Sequence, residues 1–271
     1  MGGAERGARK RRQQAQAARA VAQARGASGD RRKVIVTVVA IVVVAVAVIG
    51  GVIWINASKN TTEKQAINPG TSSAPATPPV AGVVEKRDGV VVQTGKPDAK
   101  ASIDVYADFL CPICGEFQKA YGQQIEQAVN SGQLLVRYHM VPLLNKNSDP
   151  PGYSLDSANA SLAAADAGKF TAYHDALFKN QPEEGGRGYD KGQLIKLGQD
   201  LGITDPKFAD AINSGAYNQP LNDAFQQTLK DPNLEQSFPG GKKGFGTPTV
   251  LAGGKIVNWQ QQGWLQQALA G

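Results

Sequence analysis

Two cysteines separated by two residues are the side chains whose type and spacing point most directly to chemistry. Cys111 and Cys114 are the only cysteines among the 271 residues. A C-x-x-C pair that opens a helix directly after a strand is typical of a thiol–disulfide redox centre. The first cysteine lies at the helix N-terminus, where free N–H groups and the macrodipole favour a thiolate. We therefore predict a lowered pKa for Cys111 and a buried, resolving thiol at Cys114, with exchange through a mixed disulfide on Cys111.

Two other interpretations of the pair are a structural staple and half of a zinc site. A staple that closes so short a loop adds only about 2 kcal/mol by loop closure. A zinc site needs two further ligands at a recognisable spacing, whereas His139 and His174 are single residues far along the chain. The redox interpretation is therefore favoured. Two cysteines also exclude a disulfide-dense scaffold and a four-cysteine zinc site.

The elements that must position the pair can be read from the hydrophobic pattern around it. Alternating residues predict a strand over 100–108, and apolar spacing predicts a helix that continues to about residue 130. Pro112 suits the first helical turn, where its missing N–H costs nothing. A second strand is predicted over 134–141, so the unit is expected to be a strand–helix–strand with a parallel crossover.

The rest of the globular part is predicted to be a long helical insertion followed by a hairpin. Helical patterns run from 154 to 231, with glycine and proline at the breaks. A hairpin follows over 249–257, and a last helix over 263–270. This order gives an α/β fold class.

Three features together resemble a known family. They are the CPIC helix start within VYADFLCPICGEF, the helical insertion, and Gly246-Thr247-Pro248-Thr249 before the hairpin. The sequence resembles the DsbA-like thiol–disulfide oxidoreductases of the thioredoxin superfamily, in their membrane-anchored actinobacterial form, over roughly residues 88–271. The resemblance implies a thioredoxin-like fold with a DsbA-type insertion, preceded by one N-terminal transmembrane helix.

The same resemblance assigns Thr247 and Pro248 to the site, with their peptide bond in cis against the cysteines. An X-Pro bond in cis would leave the preceding backbone free to pair with an extended substrate, while an ordinary trans proline at a strand start is the alternative. The sequence departs from the family where Ile113 replaces a histidine between the cysteines, which removes one donor to the Cys111 thiolate. It also lacks the second disulfide of some relatives, so oxidase strength is not implied.

Candidate substrate contacts are the residues that flank these motifs. Pro112, Ile113, Phe109 and Phe245 are predicted to contact unfolded substrates, with Tyr106 beside them; a role in the core is the alternative.

Other polar residues near the motif have weaker assignments. Asp104 and Asp108 are candidates to move a proton for Cys114; the alternative is that at least one of them is a solvated strand-edge charge. His174 is expected at the surface or half-buried, and His139 on a strand with a local partner. No G-x-G-x-x-G follows a strand, so we expect no bound cofactor. Since two further zinc ligands are missing at a recognisable spacing, we expect no metal either.

The N-terminal third of the chain indicates where in the cell the protein is located. Residues 1–33 carry ten Lys or Arg against two acids, whereas the whole chain has a net charge of +6, so the remainder is slightly acidic and nucleic acid is not an expected partner. Residues 34–55 are 22 residues without a charge, long enough as a helix to span about 30 Å of hydrocarbon. They predict a transmembrane signal anchor with the basic tail in the cytoplasm; a cleavable signal peptide is the alternative.

Residues 56–84 are rich in Pro, Ser, Thr and Ala and predict a linker to the domain at 85–271.

The function expected from these observations is that of an extracytoplasmic thiol oxidase in the cell membrane. It would oxidise newly exported cysteine-containing proteins and, as the resemblance implies, be recharged by a quinone-linked membrane protein similar to DsbB or a vitamin K epoxide reductase. A reductase or isomerase is a second possibility, although Leu110 stands where thioredoxins usually have Trp. A tethered chaperone or binding module with incidental cysteines is a third.

Overall fold

A six-stranded mixed sheet lies at the centre of the structure. The computed structural model describes residues 62–70, 79–238 and 240–270. The strands of this sheet are β1 (Val84–Asp88), β2 (Val91–Gly95), β3 (Ala101–Ala107), β4 (Leu134–Met140), β7 (Thr249–Ala252) and β8 (Lys255–Ile256). They lie in the order β1-β2-β4-β3-β7-β8. A separate small hairpin is formed by β5 (Gln236–Ser237) and β6 (Lys243–Gly244).

The predicted strand–helix–strand unit is confirmed. Strand β3 leads into helix α1 (Pro112–Asn130), and β4 returns parallel to β3 with Ala101 opposite Leu134. Residues of β3 alternate between buried and half-buried, so Ile103 and Val105 enter the core as their alternation indicates. The parallel pairing places the start of α1 at the carboxyl end of a central strand.

The predicted helical insertion is also confirmed. It comprises α2 (Tyr153–Asp166), α3 (Phe170–Lys179), α4 (Lys191–Asp200), α5 (Pro206–Ser214) and α6 (Asn218–Thr228). Helix α4 starts with a capping box in which Asp190 and Gln193 satisfy each other's backbone N–H groups. The insertion ends at the β5–β6 hairpin, after which β7 pairs antiparallel with β3.

The C-terminal hairpin and helix form as predicted. Strands β7 and β8 pair antiparallel, and α7 (Trp264–Ala270) follows. Trp264 packs beside Phe117 of α1, with ring centroids 6.0 Å apart, and beside Tyr121 at 5.2 Å. These aromatic contacts hold the last helix against the helix that carries the cysteines.

The β1–β2 hairpin was not predicted, and it ties the sheet to the insertion. The carboxylate of Glu85 accepts the backbone N–H of Phe170 at 2.6 Å and that of Thr171 at 2.9 Å. A carboxylate at a helix N-terminus satisfies free N–H groups and complements the macrodipole. An edge strand of the sheet therefore caps α3.

Part of the predicted linker 56–84 packs on the domain, and to that extent the linker prediction is wrong. Thr62 is 2% exposed and Ile67 is 3% exposed. The Gln193 side chain donates to the carbonyls of Thr62 at 2.6 Å and Gln65 at 2.7 Å. The prediction relied on missing apolar periodicity, but a polar segment can be held by hydrogen bonds from side chains of a neighbouring element.

The predicted basic tail 1–33 and transmembrane anchor 34–55 lie outside the described residues. Among the residues that are described, no helix is long and apolar enough to cross a membrane.

Candidate active site

The first turn of α1 is built around Cys111. Its backbone is extended (φ −73°, ψ 116°), and Pro112 takes the first helical position. The N–H of Cys111 donates to the carbonyl of Asp108 at 3.1 Å, and the carbonyl of Cys111 accepts the N–H groups of Cys114 at 3.0 Å and Gly115 at 3.2 Å. Cys111 is thus the N-cap residue, and its side chain lies beside the free N–H groups of the first turn.

The two cysteines, both present as thiols, have opposite pKa shifts. The hydrogen bond from the Cys114 thiol lowers the pKa of Cys111 to about 6, with help from the Thr247 side chain and the N–H groups of Cys114 and Ile113, against the opposing effect of burial. Burial raises the pKa of Cys114 well above its ordinary value. This is the order of pKa values predicted from the position of each cysteine.

The loop before β7 meets the cysteines. The Thr247–Pro248 peptide bond is cis, as expected. The Sγ of Cys111 lies 3.4 Å from the carbonyl oxygen of Thr247. The structure therefore brings Cys111, Cys114, Thr247 and Pro248 to one place, although Cys111 and Thr247 are 136 residues apart in the chain.

Asp108 is buried and holds two loops together. It is 1% exposed, and its carboxylate accepts the N–H of Leu110 at 2.8 Å and that of Leu144 at 2.7 Å. Burial raises the pKa of Asp108 to about 6, although both hydrogen bonds act in the opposite direction. Asp108 is therefore not a solvated charge, and it fixes the entry to the CPIC motif against the segment after β4.

Asp104 lies in a different polar group. Its Oδ1 is 2.9 Å from Nε2 of His139 on the neighbouring strand β4, and the His139 ring stacks on Tyr106 with centroids 4.1 Å apart. The predicted local partner of His139 is thus Asp104. His174 differs from its prediction, because it is 2% exposed among the rings of Phe109, Phe170 and Phe178.

The predicted substrate contacts divide into exposed and buried residues. Pro112 is exposed and Ile113 is 47% exposed, directly beside the cysteines. Phe245 is half-buried, with its ring 5.9 Å from that of Tyr106. Phe109 is 1% exposed and packs on Phe178 at 4.9 Å, so its prediction as a substrate contact is wrong. Phe109 comes two residues before Cys111, and its ring is covered by Phe178 on helix α3 of the insertion.

Two residues at the site were missed by the sequence analysis. Phe238 follows the short strand β5 and is 40% exposed. Its ring occupies the space that a Cβ on Gly246 would need, because its Cζ lies 2.7 Å from the position of such a Cβ. Gln181 follows α3, and its side-chain amide donates to the carbonyl of Phe109 at 3.0 Å and of Cys111 at 2.8 Å. The glycines at 115 and 246 were the available signals, since each leaves room for one of these side chains.

Within residues 62–70, 79–238 and 240–270, no group of three or more His, Cys, Asp or Glu side chains is arranged to hold an ion.

The fold matches that of known proteins. The family model described as "Thioredoxin" matches residues 87–269. The chain belongs to the thioredoxin family. It is similar to the reduced disulfide bond oxidoreductase DsbG of Mycobacterium tuberculosis, with 30% identity and a TM-score of 0.54 over 67% of this chain and 86% of that one. It is also similar to reduced DsbA of the same organism, with 27% identity and a TM-score of 0.53 over 69% and 90%. The thioredoxin-family domain of this chain is accordingly a thiol–disulfide oxidoreductase domain of the DsbA type.

The chain is also similar to a more distant solved structure and to a curated protein. MdbA, a thiol-disulfide oxidoreductase from Corynebacterium diphtheriae, shares the fold with a TM-score of 0.58 at 22% identity, over 73% of this chain and 99% of that one. The serine/threonine-protein kinase PknE of Mycobacterium tuberculosis is 32% identical over 207 residues, which are 73% of this chain and 35% of the kinase. The chain thus spans about a third of the length of the curated relatives it matches.

Proposed function

We propose that this protein oxidises the cysteines of exported proteins on the outer side of the cytoplasmic membrane, with Cys111 and Cys114 as its redox pair. The observation that carries the proposal is the asymmetry of the two thiols. The pKa of Cys111 is lowered to about 6, while that of Cys114 is raised by burial. A stabilised thiolate favours the reduced form of the pair and makes its disulfide a stronger oxidant.

The proposed exchange balances in two steps. A substrate thiolate attacks Sγ of Cys111, the Cys111–Cys114 bond breaks, and Cys114 takes up a proton as the thiol. A second substrate thiolate then attacks the substrate sulfur of the mixed disulfide, and Cys111 leaves as a thiolate. Two electrons pass from the substrate cysteines to the pair. Cys111 is the sulfur open to attack, since it is 6% exposed and Cys114 is 1% exposed.

Apolar side chains around Cys111 favour unfolded chains as substrates. Ile113 and Phe238 are two of the large hydrophobic side chains exposed in the described residues, at 47% and 40%. Ile113 lies between the two cysteines. The ring of Phe238 packs against Gly246, the residue before Thr247. Exposed apolar residues beside a reactive group bind the hydrophobic segments that an unfolded protein presents.

The location and the reoxidant belong to the same proposal. The uncharged residues 34–55 follow a basic tail, which supports a single-pass anchor with its catalytic domain outside the cytoplasm. A membrane-embedded, quinone-linked protein similar to DsbB or a vitamin K epoxide reductase would then accept the two electrons and restore the disulfide. Lipid contacts would involve residues 34–55.

The deciding measurement is the reduction potential of the Cys111–Cys114 pair. The full-length protein in detergent micelles is equilibrated with glutathione buffers at pH 7. A potential above about −180 mV supports the oxidase, while a value near about −270 mV indicates a reductase. Absence of a reversible disulfide would overturn both. Cys111→Ser separates the remaining alternative, because a tethered chaperone would keep its activity in that variant.

The location has its own test. Intact cells that express the Cys114→Ser variant are treated with a membrane-impermeant maleimide, with Cys111→Ser/Cys114→Ser as the matched control. Labelling of Cys111 without permeabilisation supports the extracytoplasmic site. Labelling only after the membrane is opened would contradict it.

A further inference from the structure

Gln181 lies at a fixed point beside the redox motif. It follows α3, and its backbone N–H donates to the carbonyl of Phe178 at 3.3 Å. The preceding residue, Asn180, is held on both sides, since its side chain donates to the carbonyl of Ala176 at 2.8 Å and its carbonyl accepts the hydroxyl of Tyr189 at 3.0 Å. The Gln181 side chain therefore projects from a braced segment of the insertion.

The amide of Gln181 uses both of its N–H groups on the segment that enters α1. It donates to the carbonyl of Phe109 at 3.0 Å and to that of Cys111 at 2.8 Å. Two carbonyl acceptors require the NH₂ end of the amide, which a carboxylate or an apolar side chain cannot supply. The Cys111 carbonyl is the same atom that accepts the N–H groups of Cys114 and Gly115, so Gln181 binds the origin of the helix.

Gly115 is the residue that makes room for this contact. A Cβ on Gly115 would lie 2.3 Å from Oε1 of Gln181 and 3.1 Å from its Cδ. The φ angle of Gly115 is not among the positive ones, so space rather than backbone conformation explains the glycine. Gly115 and Gln181 are 66 positions apart in sequence, and the Gln181 side chain occupies the space that a side chain at position 115 would need.

We infer that Gln181 is a positioning residue for the redox pair, acting through the carbonyls of Phe109 and Cys111. By fixing these carbonyls, it holds the first turn of α1 so that the N–H groups of Ile113 and Cys114 are directed at the sulfur of Cys111. The helical insertion thereby sets the reactivity of a thiolate on the thioredoxin-like core. The inference rests on the proposed role of Cys111 as the reactive thiol.

The test measures the rate at which iodoacetamide alkylates Cys111 between pH 4 and pH 9 in the reduced full-length protein. Gln181→Met keeps the size of the side chain and removes both donors. Its profile should move to higher pH, and the rate at pH 5 should fall by about threefold to tenfold, since one pKa unit is a factor of ten in thiolate. An unchanged profile would overturn the inference.

Gln193→Met is the matched control. Gln193 also donates to two carbonyls, those of Thr62 and Gln65, but these lie in the segment before β1 rather than at the motif. This variant is expected to lower the melting temperature and leave the alkylation profile of Cys111 in place. An equal shift in both variants would mean that general loss of stability, rather than positioning, is responsible.

The close approach of Gly115 to Gln181 allows a second, independent test. Gly115→Ala should shift the profile in the same direction as Gln181→Met, although Ala is the better helix former. In the Gln181→Ala background, the same Gly115→Ala change should add almost nothing. Full additivity of the two changes would refute the coupling. Alkylation needs no disulfide, so these results remain distinct from a failure of the wild-type protein to form a reversible Cys111–Cys114 bond.

Discussion

The Sγ of Cys111 lies 3.4 Å from the carbonyl oxygen of Thr247, across 136 residues of sequence. The contact exists because β3, which leads to Cys111, pairs antiparallel with β7, which starts two residues after Thr247. Two short segments that meet at the ends of neighbouring strands thus form the site. The carbonyl oxygen of Thr247 therefore lies beside the sulfur of a residue on the other segment.

The reduction potential of the pair should change its pH dependence near pH 6. Below the pKa of Cys111, which is about 6, reduction takes up two protons with two electrons, and the potential falls by about 59 mV per pH unit. Above it, Cys111 stays a thiolate and the fall is about 30 mV per unit. Redox equilibration from pH 5 to pH 8 checks this. A constant steep slope to pH 8 would show that the thiolate is not stabilised.

Asp108→Asn should destabilise the protein in a pH-dependent way. The amide cannot accept both the Leu110 and Leu144 N–H groups in the same manner, so a loss of about 1–3 kcal/mol is expected. Because the folded pKa of Asp108 is raised to about 6, its protonation stabilises the wild type at low pH, and this contribution is lost as the pH rises through about 6. The cost of the substitution should therefore be larger at pH 4 than at pH 7.

Urea unfolding of both proteins at the two pH values gives this difference. Asp98→Asn, at an exposed turn position, is the control and should show almost no cost. If the cost of Asp108→Asn instead grows with pH, the buried carboxyl does not have a raised pKa.

Phe238→Ala should weaken substrate binding and leave the chemical step in place. The ring is 40% exposed and contacts Gly246, so its loss removes apolar surface beside the site without changing either cysteine. We expect KM for an unfolded, reduced substrate to rise by about fivefold to thirtyfold, equivalent to about 1–2 kcal/mol, at a similar kcat. Val84→Ala, a similarly exposed residue on the far edge strand β1, should leave both constants unchanged. A fall in kcat alone would assign Phe238 a different role.

Ile67→Ala should reveal the docking of the segment before the sheet. Ile67 is 3% exposed, and removing a buried aliphatic side chain costs about 2–5 kcal/mol. Val80→Ala, at a residue that is 40% exposed, should cost less than about 0.5 kcal/mol. Thermal or urea unfolding of the full-length protein compares the two. Equal, small effects would mean that residues 62–70 act as a free tether.

Local pattern was enough to predict the elements that carry the site. Alternation identified β3, the run LLVRYHMV identified β4, the proline and cysteines identified the start of α1, and helical spacing identified the insertion. These features depend on neighbours within one turn or one strand, so the sequence contains them directly. The cis bond at Thr247–Pro248 followed from the family resemblance rather than from a local pattern.

Tertiary packing decided the burial and the partners of individual side chains. Asp108 and His174 gave no local sign of burial, and the sequence left Phe109 open between a substrate contact and the core, because what covers these residues comes from distant parts of the chain. The same is true of the Thr62–Gly70 segment, which Gln193 holds from more than 120 residues away. Gln181 reaches Cys111 across 70 residues. A sequence determines which residues form a helix or a strand, whereas long-range contacts, set only when the elements pack, determine which side chains meet at the sulfur.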